Sequence, residues 1–131
     1  HLDELVELRL ERGLVQKELG RLDEAETCWR EVVAAADLVA EAEWSKQTRL
    51  ELLGALHNLA RVESERGDLR AGMQRMERCV AIEQSIVAAD GSLDMQMNQV
   101  RSRINLAAMR RALGEADRAR EELVALRTLL A

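Results

Sequence analysis

Asn58 and Asn105 are side-chain amides standing 47 residues apart in a chain of 131. An amide offers both a donor and an acceptor, so it can pair with a peptide group whatever side chain that residue carries. Nearby lie three guanidinium groups, Arg61, Arg101 and Arg111, of the planar kind that grips carboxylates through two parallel hydrogen bonds. His57 adds a group that titrates near neutral pH. Glu11, one spacing before Asn58, would draw a basic ligand residue. Together these types suit recognition of a polypeptide. The plainer readings are that each Asn caps or bridges neighbouring helices, that the arginines form a solvated helix face, and that His57 serves packing or the surface.

Chemistry on a substrate has little to stand on. A metal site on helices needs His and carboxylates converging at three- or four-residue spacing, yet His57 has Leu53, Gly54 and Arg61 at those places. Every Gly is isolated, which excludes a glycine-rich phosphate loop, and no Ser stands between paired glycines as a nucleophile elbow requires. No catalytic residue, metal ligand or cofactor is expected. The many carboxylates read as solubilising charge and as pairs one helical turn apart.

Composition narrows the partner. There is no Phe and no Tyr, and Trp29 and Trp44 are the only aromatics, so a base-stacking surface is hard to build. The net charge of −5 also argues against nucleic acid, whose binders present a basic face. That charge is uneven: residues 1–45 carry 12 acids and 5 bases, whereas residues 91–131 carry 5 acids and 7 bases. Head-to-tail pairing of the two ends is one reading of the gradient, and chance clustering on a solvated surface is the other. The longest apolar runs fall far short of the roughly 20 residues of a membrane span, and no secretory signal pattern opens the chain. Cys28 and Cys79 have neither disulfide density nor zinc spacing and read as reduced core residues, which suits a cytoplasmic protein. His1 stands where Met would be expected and reads as a remnant, and the chain reads as part of a longer protein.

The elements that position these groups are helices. Strong helix formers run from end to end with no Pro and seven Gly. Three segments superpose at a period of 47: Gly20-Arg-Leu-Asp-Glu-Ala25, Gly67-Asp-Leu-Arg-Ala-Gly72 and Gly114-Glu-Ala-Asp-Arg-Ala119. Small residues recur seven before each glycine, at Gly13, Ala60 and Ala107, where two helices must touch closely. Larger apolar residues recur nine and twelve past it, at Trp29, Met76 and Leu123 and then Val32, Cys79 and Leu126, a helical stripe. A Gly between two helical patterns supplies the positive φ that ends one helix and reverses the chain. Asp90-Gly91-Ser92 offers a stop and an N-cap, and Ser45 stands one period earlier. The pattern predicts helices near 2–19, 22–43, 46–66, 69–89, 93–113 and 116–130. These form three antiparallel hairpins, 1–44, 45–91 and 92–131, of one domain, stacked because a lone hairpin cannot bury its stripe.

Gly13, Gly20, Ala25 and Trp29 reproduce the small residue, turn glycine, small residue and large apolar residue of the tetratricopeptide repeat, which the chain resembles over nearly its whole length. Two features depart from that pattern: the period exceeds the usual value of about 34, and no Pro closes a repeat. Asn58-Leu59-Ala60 and Asn105-Leu106-Ala107 are similar to the triplet of the kinesin-light-chain-like branch and of bacterial regulators with longer helices. HEAT or armadillo repeats, with periods of about 40–47, remain the rival class, although they do not call for this glycine pattern.

The resemblance implies an all-α right-handed solenoid whose first helices line a concave groove. Its residues would include Glu7, Leu10, Glu11 and Lys17, then Gly54, His57, Asn58 and Arg61, then Arg101, Asn105, Ala108 and Arg111. It also implies that Asn58 and Asn105 form a ladder on an extended peptide, interrupted by Glu11. The expected function is a protein- or peptide-binding scaffold within a signalling or regulatory protein. The alternative is self-assembly into a homo-oligomer through exposed ends, Leu126, Leu129 and Leu130 among them.

Overall fold

The three turn glycines adopt left-handed backbone, with φ of 75° at Gly20, 92° at Gly67 and 87° at Gly114. Each closes the same pair of bonds in this computed structural model, which describes residues 2–130 apart from the side chain of Leu129. In the first turn the Gly20 N–H donates to the Lys17 carbonyl at 3.0 Å and the Arg21 N–H to Gln16 at 2.8 Å. Gly67 with Asp68, and Gly114 with Glu115, repeat that geometry. Two of the last carbonyls of the helix before each of these glycines are thereby satisfied within the chain.

The helices are α1 (Leu2–Glu18), α2 (Leu22–Asp37), α3 (Lys46–Glu65), α4 (Leu69–Asp90), α5 (Leu93–Ala112) and α6 (Ala116–Leu130), with one 3₁₀ turn at Glu41–Glu43. The fold is all-α, with no strand among the described residues. The expected N-caps are present: Ser45 accepts from the Thr48 N–H at 3.0 Å and Ser92 from Met95 at 3.3 Å. Asp68 caps α4 in the same way through the Ala71 N–H. Gly91, at φ 66°, ends α4.

One boundary differs. The sequence pattern carries the second helix to residue 43, whereas α2 stops at Asp37. The buried Trp44 indole donates to the Ala36 carbonyl at 2.9 Å, occupying an acceptor that a continuing helix would use. Arg49 then lies 5.7 Å over the Trp44 ring and donates to the Glu41 carbonyl at 2.9 Å, which fixes the connection. Helix propensity yields to burial of an aromatic ring.

The chain divides into two compact units, one up to Val62 and the other from Glu63. In the first, α1 packs on α2, and Asp3 of α1 accepts from Ser45, at 2.7 Å, and from Thr48 at the start of α3. Those two hydroxyls hold the Asp3 carboxyl below its ordinary range. Val6, Ala25, Trp29, Val32 and Leu52 are fully buried there. Gly13 lies so close to Trp29 that a Cβ on it would come 2.5 Å from the indole nitrogen. In the second unit α5 packs on both α4 and α6, over a core of Met73, Met76, Cys79, Ile82, Ile86, Leu106, Ala119 and Leu126. The recurring small residues and nearly all of the recurring stripe are therefore core, with Leu123 half-buried. Cys28 and Cys79 are free thiols, and burial, helped by the nearby Glu83, pushes the Cys79 thiol well above its usual range. His1 and the Leu129 side chain lie outside the described residues.

Glu83 is buried in this second core with Ser102 hydrogen-bonded to its carboxyl. Burial raises its pKa more than the serine bond lowers it. A carboxyl whose folded pKa exceeds the unfolded value of about 4.3 binds its proton more tightly in the folded state, so it favours folding at low pH and opposes it above the raised pKa. Glu83→Gln should therefore be more stable than the native chain at pH 8, with the advantage fading toward pH 4. Urea unfolding at the two pH values checks this.

Candidate functional site

On α5 the expected binding residues fall where the helix period puts them. Arg101, Asn105, Ala108 and Arg111 recur at three- and four-residue steps and all are exposed, while Gln99, Ser102, Leu106, Ala107 and Arg110 on the other side are buried. Among the described residues the side chains of Arg101, Asn105 and Arg111 have no hydrogen-bond or ion-pair partner. Two positive charges and an amide thus stand on one solvent face without an internal role.

The α3 face differs. His57 and Asn58 are half-buried, and burial lowers the His57 pKa, so the imidazole stays neutral at physiological pH. Arg61 is exposed and donates from Nη2 to Asn58 Oδ1 at 3.2 Å, one helical turn back. That bond leaves the Asn58 amide hydrogens for another partner and orients the carbonyl toward Arg61. Asn58 and Asn105 share a register position but not an environment. On α1, Glu11 and Lys17 are exposed. Glu7 instead accepts from Gln47 Nε2 at 3.4 Å, and Leu10 lies about 3.9 Å from where a Cβ on Gly54 would be, so these two serve α1–α3 packing. The structure therefore brings together Asn58 with Arg61, and Arg101 with Asn105 and Arg111.

The second unit also holds a charged recess of about 550 Å³, unforeseen from the sequence alone, lined by residues that include Glu77, Gln84, Arg103, Arg110 and Glu122. Arg110 is almost wholly buried, with Nε 2.6 Å from Glu122 and Nη2 3.4 Å from Glu77. Arg103 donates to Gln84 at 3.0 Å. The signal was present in the pattern, since Arg110 follows Leu106 by four and so falls on the buried stripe. Its counterpart one period earlier, Glu63, is also a buried charge, paired with Arg75 at 2.9 Å. Among the described residues no group of three His, Cys, Asp or Glu is placed to hold a metal ion.

Family models described as tetratricopeptide repeat match residues 6–31, 52–87 and 100–125. The chain carries tetratricopeptide repeats. The matched segments contain Gly13, Gly20, Ala25 and Trp29 in the first repeat and their counterparts in the others, the residues that form the turns and cores described above. Such repeats generally mediate contacts between proteins and are scaffolds rather than enzymes. No curated protein and no solved structure matches the chain. No described helix is long and apolar enough to cross a membrane.

Proposed function

We propose that this tetratricopeptide-repeat chain is a protein- or peptide-binding scaffold domain that holds an extended, acidic segment of its partner on the solvent faces of its first helices. The single observation that carries this is the α5 face, where Arg101, Asn105 and Arg111 are exposed and engaged with nothing in the fold. Guanidinium groups spaced along a helix suit carboxylates, and an amide between them suits the ligand backbone. His57, Asn58 and Arg61 extend the same recognition on α3, and Glu11 on α1 selects a basic residue at one end of the ligand. The Asn-Leu-Ala triplets support a likeness to the kinesin-light-chain-like branch and to cytosolic signalling or regulatory proteins. No nucleic acid, membrane, metal or cofactor enters this reading.

Selection of a random peptide library on the immobilised chain tests it. The expected result is enrichment of sequences rich in Asp and Glu, whose binding weakens as salt is raised, because rim-exposed charge pairs are screened. Absence of enrichment, or enrichment of basic sequences alone, would count against it.

A further inference from the structure

The seam between α4 and α5 has a register. Gln99 Nε2 donates to Gln84 Oε1 at 2.6 Å, Ser102 bonds the Glu83 carboxyl, and Arg110 reaches Glu77 at 3.4 Å. Partner numbers fall on α4 as they rise on α5, so the two helices run antiparallel. Shifted by whole periods of 47 residues, the same seam positions can be found at both ends of the chain. Two periods before Gln99 and Ser102 stand Leu5 and Leu8 of α1, and one period after Glu77 and Glu83 stand Val124 and Leu130 of α6.

Exposure separates these positions. Ser102 and Glu83 are 3% and 2% exposed, and their counterparts in the first unit, Ala55 and Ala36, are fully buried. Leu8 and Leu130, at the same two positions, are 55% and 61% exposed. Leu5 and Val124 are exposed as well, as is Val15, whose counterpart Val62 is buried. Positions that are buried in each unit are thus exposed on α1 and on α6, and there their residues are large and apolar. Apolar stripes of this kind on a solvent face mark an interaction surface.

We propose that these two faces belong to one interface: α6 of one copy docks antiparallel on α1 of a second copy, head to tail, and continues the α4–α5 register. Carried over by period, that register sets Leu130 against Leu8 and brings Val124 level with Leu14. It also sets Arg127 level with Glu11 and Arg120 level with Glu18, while Arg12 beside Glu11 and Glu121 beside Arg120 bring like charges near. The net charges are complementary, since residues 1–45 are acidic and residues 91–131 basic. This interface leaves the α3 and α5 binding faces proposed above free and shares only Glu11 with the α1 face. A contact of this type uses a different surface on each partner, so every bound copy keeps one free end and the assembly grows. A seam of one helix on another lies at the small end of interfaces, below roughly 1,200 Å², so the association is weak and builds toward ~millimolar concentration.

Sedimentation velocity of the whole chain over a concentration series tests this with two variants, Leu8→Glu and Leu130→Glu, both at exposed positions where folding is unaffected and is checked by circular dichroism. The native chain is expected to shift from monomer to a distribution of higher species. Each variant alone is expected to remain monomeric, and an equimolar mixture of the two is expected to form a dimer and stop there, because one intact end of each kind remains. A native chain that stays monomeric throughout would overturn the proposal and leave the two faces to helices of other polypeptides. Association that either variant leaves intact, or that the mixture fails to restore, would overturn it as well.

Discussion

Trp29→Ala is expected to lower the stability of the first unit by about 3–5 kcal/mol, the range for deleting a large buried aromatic. Its indole is fully buried and seated directly on Gly13, so the loss includes both the apolar area and a void at the closest approach of α1 and α2. Gly13→Ala attacks the same contact from the other side. A Cβ there would sit 2.5 Å from the indole nitrogen and 3.3 Å from Cys28 Cβ, and separating the two helices to admit it costs about 1–3 kcal/mol. The two changes are expected to couple strongly. Once Trp29 is gone the added methyl fills space instead of clashing, and alanine's better helix propensity, about 1 kcal/mol, makes Gly13→Ala neutral or stabilising in the Trp29→Ala background. A double-mutant cycle by urea denaturation reads this as a reversal in the sign of the Gly13→Ala effect.

Arg110→Ala is expected to destabilise the second unit by about 2–3 kcal/mol. Removing one member of a buried ion pair costs about 3–5 kcal/mol because the other charge loses its partner, and the lower figure applies here because Glu77 and Glu122 are each partly solvated. Arg110→Met keeps much of the side-chain volume and is expected to cost less. A further variant, Arg110→Met with Glu122→Gln and Glu77→Gln, is expected to recover most of the loss, since an apolar replacement of a buried pair is commonly close to neutral. Recovery would show that the arginine's charge is held for pairing and not for packing alone.

Much of this was legible in the sequence because the repeat writes each signal three times. Gly20, Gly67 and Gly114 located the turns, and Ser45 and Ser92 located helix starts, because a left-handed turn and an N-cap are local and depend on residue type. The end of α2 was not legible, since it rests on Trp44 folding back to the Ala36 carbonyl, a contact that no helix propensity encodes. The site divides in the same way. Exposure of Arg101, Asn105 and Arg111 followed from period alone, whereas the period put Arg110 on the buried stripe without showing that Glu77 of α4 and Glu122 of α6 would arrive there to pair with it. Asn58 and Asn105 share a register, yet the Arg61 bond to Asn58 sets them apart, and it arises from a residue, Arg61, that has Ala108 as its counterpart.

Partner recognition by these faces is tested by the affinity of a library-selected acidic peptide, read by fluorescence anisotropy, for the native chain and for the variant carrying Asn58→Ala and Asn105→Ala. Each amide hydrogen bond contributes about 0.5–1.5 kcal/mol, so losing both is expected to weaken binding by about 5- to 150-fold while circular dichroism and the melting temperature stay unchanged. Equal affinity for the two proteins would contradict the assignment of these faces to partner recognition.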